Sequence, residues 1–153
     1  MSSFSEKHTI TALVEDRPGV LNRISSMFRR RGYNISSLAV GQSETSGLSR
    51  MTFVVQGDTK TVEMVAKNLN KLVEVIKVLD ISDENAVSRE LALIRVNSDV
   101  SKDTLMVEVT GDEDKVDSLV DLLATFGVHE VMRTGTVAMS RGVSFESLSG
   151  PEN

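Results

Sequence analysis

The chain has 153 residues, 40% of them hydrophobic, which suffices for one ordinary core or two small ones and is too much for a disordered polymer. Its 17 basic residues are outnumbered by 22 acidic ones, a formal charge of −5 that opposes broad binding to nucleic acid or to an anionic membrane. There is no cysteine, so disulfides, a thiol nucleophile and thiolate metal sites are excluded, and no stretch approaches the ~20 apolar residues of a membrane span.

Met1 to Lys7 lacks the apolar core of a signal peptide, and a soluble protein is expected. From His8 to Glu15, Ile10, Ala12 and Val14 alternate with Thr9, Thr11 and Leu13, the period-two pattern of a strand. Asp16-Arg17-Pro18-Gly19 then offers a capping side chain and a proline suited to a first helical turn. Val20, Leu21, Ile24, Met27 and Phe28 form one apolar helical stripe, and Arg29-Arg30-Arg31 before Gly32 suits the negative end of the helix dipole. Tyr33 to Gln42 and Ser49 to Gln56 read as a strand hairpin around the polar turn Ser43 to Gly47. A second helix carries Val62, Val65, Leu69 and Leu72, and Val75 to Ile81 adds a fourth strand. The order is βαββαβ, the split-βαβ unit in which two helices cover one face of an antiparallel sheet.

The polar stretch Ser82 to Arg89 reads as a linker into a new strand, Leu91 to Val96. Val109-Thr110-Gly111-Asp112 then repeats Val55-Gln56-Gly57-Asp58, again before a helix, whose stripe is Val116, Leu119, Val120, Leu123 and Phe126. Only Asn97 to Thr104 separates the new strand from the next, too few residues for a full second copy. The expected class is therefore α+β: a ferredoxin-like domain over 1–82, a linker over 83–89, an abbreviated ferredoxin-like α+β domain over 90–142, and a tail over 143–153.

No Walker loop, dinucleotide glycine fingerprint, His-Glu-x-x-His pair or Gly-x-Ser-x-Gly elbow is present. His8 and His129 read as surface or edge residues, and no spacing singles out a carboxylate pair, so catalytic residues and metal ligands are both assigned as none. Met27, Met51, Met64, Met106 and Met139 read as core filling. The arginine triplet is either a helix end or an anion patch, and the helix end accounts for it without a ligand. The Asp16 to Leu21 turn stands apart, because a strand-to-helix turn presents unpaired amides and the positive end of a dipole to a carboxylate. Gly19 would allow close approach, while Asp16 and Asn34 could receive an ammonium group. Taken on pattern alone, the same residues read in the first place as a helix start and a chain turn.

Val14 to Arg23 and Arg31-Gly32-Tyr33-Asn34-Ile35-Ser36-Ser37-Leu38-Ala39-Val40 resemble the regulatory, or small, subunit of acetolactate synthase, whose N-terminal unit is an ACT domain. The resemblance continues through Leu48 to Thr52, Lys71 to Val73, Arg89 to Val96 and Arg133 to Gly142, covering most of the chain. It implies a non-catalytic subunit that activates the catalytic (large) subunit of acetolactate synthase and confers feedback inhibition by a branched-chain amino acid, valine foremost, in valine, leucine and isoleucine synthesis. It also implies a homodimer with the effector at the interface, lined by Asp16, Gly19, Val20 and Leu21 on one chain and by Asn34 and Ile35 of its partner. Asp16 departs from the asparagine often found there, keeping an acceptor and losing a donor. Thiamine diphosphate, FAD and magnesium would belong to the catalytic subunit, with no cofactor in this one and neither nucleic acid nor membrane as partner. The compartment would be cytoplasm, or plastid stroma in a photosynthetic eukaryote.

The family carries a helix and a strand between the counterparts of Asn97 and Leu105. Either this chain lacks that helix, or its numbering runs on across an omitted segment, which a wide Cα separation near Ser98 would reveal. The alternative function is a free-standing ACT-domain sensor that regulates another enzyme.

Overall fold

A computed structural model describes residues 6–82, 85–98 and 103–142. The elements are β1 (Glu6–Glu15), α1 (Val20–Arg31), β2 (Asn34–Gln42), β3 (Leu48–Gly57), α2 (Thr59–Leu69), β4 (Val75–Asp80), β5 (Ala86–Asn97), β6 (Thr104–Gly111), α3 (Glu113–Ala124), β7 (Val128–Arg133) and β8 (Val137–Ser140). The first six follow the expected βαββαβ order and form an antiparallel sheet ordered β2-β3-β1-β4. The second sheet is ordered β6-β5-β7, with β8 also paired to β5. The α+β, ferredoxin-like class is thus the observed one.

Alternation on the central strands builds the first core. Ile10, Ala12 and Val14 of β1 and Met51, Phe53 and Val55 of β3 are buried on one face, beneath Val20, Ile24, Met27 and Phe28 of α1 and Val62, Val65 and Leu69 of α2. Phe53 stacks on Phe28 at 5.4 Å, and Tyr33 meets Phe28 edge-on at 6.0 Å. Gly32, at φ 70°, ends α1 by returning its own amide and that of Tyr33 to the carbonyls of Arg29 and Phe28, so the arginine triplet occupies the last turn.

The repeated Val-x-Gly-Asp has a physical reason in both places. Asp58 accepts from the Thr61 amide at 2.8 Å and Asp112 from the Lys115 amide at 2.9 Å, capping α2 and α3. The preceding glycine lies where a Cβ would come within 2.7 Å of the Thr61 side chain, or 2.6 Å of that of Lys115.

In the second sheet β5, β6, α3 and β7 correspond to β1, β3, α2 and β4, and the order β6-β5-β7 is that of β3-β1-β4. Counterparts of α1 and β2 are lacking among the described residues. β5 and β6 pair antiparallel, with Asn97 registered on Thr104 and the Ser98 amide donating to the Asp103 carbonyl at 3.0 Å, while the Cα separation expected to reveal an omitted segment lies outside the described residues. The core is correspondingly small: Ala92, Ile94, Val96 and Val116, with half-buried Val107, Val109, Leu119, Val120, Leu123 and Val128.

β5 begins at Ala86, where it pairs with β8 some fifty positions away. Among the described residues, those up to 87 group with 138–142 as one compact unit, and those within 88–137 as another. The tail over 143–153 lies outside the described residues. Several expectations are corrected. Asp16 does not cap α1, whose N-cap is Gly19. His8 is buried on the central strand β1, and Met64, Met106 and Met139 are exposed rather than core.

Candidate functional site

β1 delivers the chain into the turn at Asp16, whose amide donates to the carbonyl of Gly47 in the β2–β3 turn at 2.8 Å. Gly19, at φ 90° and ψ −13°, occupies the left-handed region that disfavours a side chain, and it offers α1 no side-chain cap. The first normal helical bond runs from the Arg23 amide to the Gly19 carbonyl at 3.0 Å, and the Val20 amide reaches Arg17 only at 3.4 Å. The amides of Leu21 and Asn22 find no acceptor among the described residues, so the positive end of α1 is open to an anion.

An ion cluster unforeseen in the sequence fixes this turn. The Glu74 side chain is 4% exposed, with Arg23 Nη1 2.6 Å and Arg17 Nη2 3.7 Å from its Oε1. Arg17 Nε also lies 2.6 Å from Glu15, and the Glu15 amide donates to the Glu74 carbonyl at 2.8 Å. The turn is thereby tied on both sides to the segment entering β4. On the neighbouring β2–β3 turn, the Glu44 carboxyl is held below its ordinary range, first by a backbone hydrogen bond of its own and then by Arg50.

The predicted residues are not gathered by a single chain. Asp16, Gly19 and Leu21 share the open turn, but the Val20 side chain is buried in the core and offers only its backbone. Asn34 opens β2, exposed, donating through Nδ2 to Gln56 Oε1 at 2.6 Å, which leaves its own carbonyl oxygen to accept. Ile35 is half-buried against the core. Along β3, Asn34 is registered with Gln56 while Glu15 is registered with Leu48. Eight residues of strand, about 26 Å at ~3.3 Å each, separate the two sets. An open groove of about 340 Å³ lies instead along α1 and Leu72, lined by Asn22, Arg23, Ser26, Arg29 and Arg30.

The Arg133-Thr134-Gly135 segment locks the second unit. Arg133 binds Asp117 at 2.6 Å and also Glu90, joining β7 to α3 and β5, and these bonds, that to Glu90 foremost, raise its already high pKa. Thr134 Oγ1 accepts from the Leu91 amide at 3.1 Å. No group of three or more His, Cys, Asp or Glu able to hold a metal ion occurs among the described residues.

A split-βαβ sheet whose first helix starts uncapped on a left-handed glycine is the build of an ACT-type regulatory domain, and residues 10–77 match the AHAS small subunit-like ACT domain. Residues 97–142 match the family model of the small subunit of acetolactate synthase. A probable acetolactate synthase small subunit of Archaeoglobus fulgidus is 52% identical, over 89% of this chain and 98% of its own. The acetolactate synthase small subunit of Bacillus subtilis is 43% identical, over 94% and 95%. A solved acetolactate synthase small subunit from Thermotoga maritima superposes with a TM-score of 0.83 at 41% identity, covering 91% of this chain and 99% of that one. The chain belongs to the acetolactate synthase small-subunit family: it is a regulatory subunit, not itself an enzyme, and the family's cofactors belong to the catalytic subunit.

The alignments also measure what is lacking. One runs over 156 positions against 89% of 153 residues and the other over 164 against 94%, so each holds about 20 positions opposite no residue of this chain. That is the length of one short helix and strand.

Proposed function

We propose that two copies of this chain pair through the β2 edges of their first units and bind a branched-chain amino acid, valine foremost, between the Gly19 turn of one copy and Asn34 of the other, and that this binding inhibits the catalytic subunit. The separation of Gly19 from Asn34 carries the reading. Antiparallel pairing of β2 with its twin about a two-fold axis sets the Asn34 end of one strand beside the Gln42 end of the other, which is the end that leads to the partner's turn. Charge favours this contact: residues up to 87 with those from 138 hold 12 basic and 12 acidic residues, so two such units meet without net repulsion.

The effector's carboxylate would take the Leu21 and Asn22 amides, its ammonium the Asp16 carboxylate and the partner's Asn34 carbonyl, and its branched side chain Leu21 and the partner's Ile35. Inhibition requires that this paired state bind effector better in the inhibitory than in the active arrangement of the complex; a typical coupling of ~1–3 kcal/mol alters the equilibrium ~5–150-fold. The archaeal and bacterial relatives support a cytoplasmic setting.

Isothermal titration with valine, leucine and isoleucine, with serine as control, tests the site. Saturable binding of a branched-chain ligand is expected, and its loss in Gly19→Asp, which places a carboxylate against the open amides. Absence of binding to the unaltered dimer would refute the effector reading.

A further inference from the structure

We infer that the open edge of the second unit, strand β6, is completed by a strand of the catalytic subunit flanked by basic residues; this rests on the subunit partnership above. The first unit supplies the comparison. Counting from the shared Gly-Asp, Leu105 is the counterpart of Met51 and Met106 that of Thr52. Met51 is 2% exposed in β3, which has β2 along its edge and α1 over its face, whereas Leu105 is 56% exposed; Thr52, on the opposite face of β3, is 5% exposed beneath the Ala138 amide, and its counterpart Met106 is 57% exposed. Phe53 and Val55 are wholly buried, and their counterparts Val107 and Val109 only half so. Leu105 is thus exposed at a position that the lacking helix and strand would protect, alongside Leu122, Phe126 and Met132 elsewhere in the unit, and the alignments show a deficit of that length.

Among the described residues β6 pairs with β5 alone, leaving its outer backbone groups unpaired, and its sequence Thr-Leu-Met-Val-Glu-Val-Thr-Gly carries neither proline nor lysine to block strand addition. Such an edge is a template for β-augmentation, with backbone bonds to the incoming strand and apolar contacts at alternate side chains.

Charge selects the occupant. Residues 88–137 carry 5 basic and 10 acidic residues, so the chain's entire net charge of −5 resides in this unit. A second copy would bring an equal negative charge and set Glu108 of one edge strand near that of the other. A strand with flanking lysines or arginines meets the acidic α3, where Glu113, Asp114, Asp117 and Asp121 outnumber Lys115, with opposite sign.

Hydrogen exchange of the full-length chain, alone and with the catalytic subunit, is the test, with complex formation followed by sedimentation. The outward amides of β6 should exchange roughly tenfold more slowly or less in the complex. Leu105→Asp, at an exposed position, should weaken the complex while leaving effector binding by the free chain unchanged. A complex with unprotected β6, or one that Leu105→Asp does not weaken, overturns the inference and leaves the partnership standing. Protection that rises with chain concentration in the absence of the catalytic subunit overturns it in favour of a second copy. Failure to form any complex overturns both the partnership and the inference.

Discussion

Arg23 Nη1 and Glu74 Oε1 lie 2.6 Å apart, yet the arginine side chain is 64% exposed and the glutamate 4%. The two truncations are therefore unequal. Removing Arg23 leaves a buried carboxylate with Arg17 at 3.7 Å, and Arg23→Ala should cost about 1–3 kcal/mol, the range for a buried polar group deprived of its partner. Glu74→Gln keeps an acceptor oxygen for Arg23 and leaves Arg17 on Glu15, and should cost less than ~1 kcal/mol of stability. It should nevertheless weaken effector binding, because the turn loses its anchor to the segment before β4. Urea unfolding of both variants checks the asymmetry, and equal losses would refute it.

Asp58 gives a pH prediction with a definite sign. Hydrogen bonds from the Thr61 hydroxyl at 2.7 Å and the Thr61 amide at 2.8 Å hold its carboxyl below the ordinary aspartate value. A depressed folded-state pKa contributes stability above the unfolded value of ~3.9, lost as the pH falls through the lower folded value. Asp58→Asn keeps an acceptor for the cap without the titrating group. Its melting temperature should fall less steeply than that of the unaltered chain between pH 4 and pH 2, measured as about a dozen melts across that range. Some acid dependence should survive, since Glu44 is shifted in the same direction.

Much of this fold was legible because its signals are local. The alternation of Ile10, Ala12 and Val14, the stripe from Val20 to Phe28 and the repeated Gly-Asp each lie within one or two turns of chain, and the four strands of the first sheet stand within two residues of their expected places. What was illegible depends on distant partners. β5 starts early because β8 pairs with it, and Glu74 matters because Arg23 folds against it from fifty-one positions away. Met106 is exposed on the edge strand β6, and its place at an edge is set by strand order, which composition cannot register. In the site, the turn was legible and its geometry was not: Asp16 promised a cap, but the left-handed Gly19 takes that place and leaves the amides open.

The unequal cores predict unequal stability. Phe53, wholly buried and stacked on Phe28, belongs to a core fed by two helices, whereas Ile94 and Val116 belong to one covered by α3 alone. Smaller cores bury a smaller fraction of their surface and open first. Amides of β5 and β7 should therefore exchange faster than those of β1 and β3. Ile94→Ala, costing about 2–5 kcal/mol, should accelerate exchange across residues 88–137, while Phe53→Ala, at about 3–5 kcal/mol, should do so in the first sheet. A single uniform opening rate for both sheets would contradict this.

The proposed pairing of β2 edges can be separated from the fold it depends on. Val40 is 49% exposed on the edge strand, registered with Met51 of β3, so about half of it is open in a single chain. Lysine on an edge strand is a known obstacle to strand pairing, because its charge must lose water where the added strand packs. Val40→Lys should shift sedimentation from dimer towards monomer and reduce valine affinity in proportion, while changing the stability of the monomer by no more than about 0.5 kcal/mol. The decisive comparison is with Gly19→Asp, which should lose the effector and keep the dimer. If Val40→Lys remained dimeric and bound valine normally, the copies would have to meet through another surface, and Asn34 would have no route to the Gly19 turn of its partner.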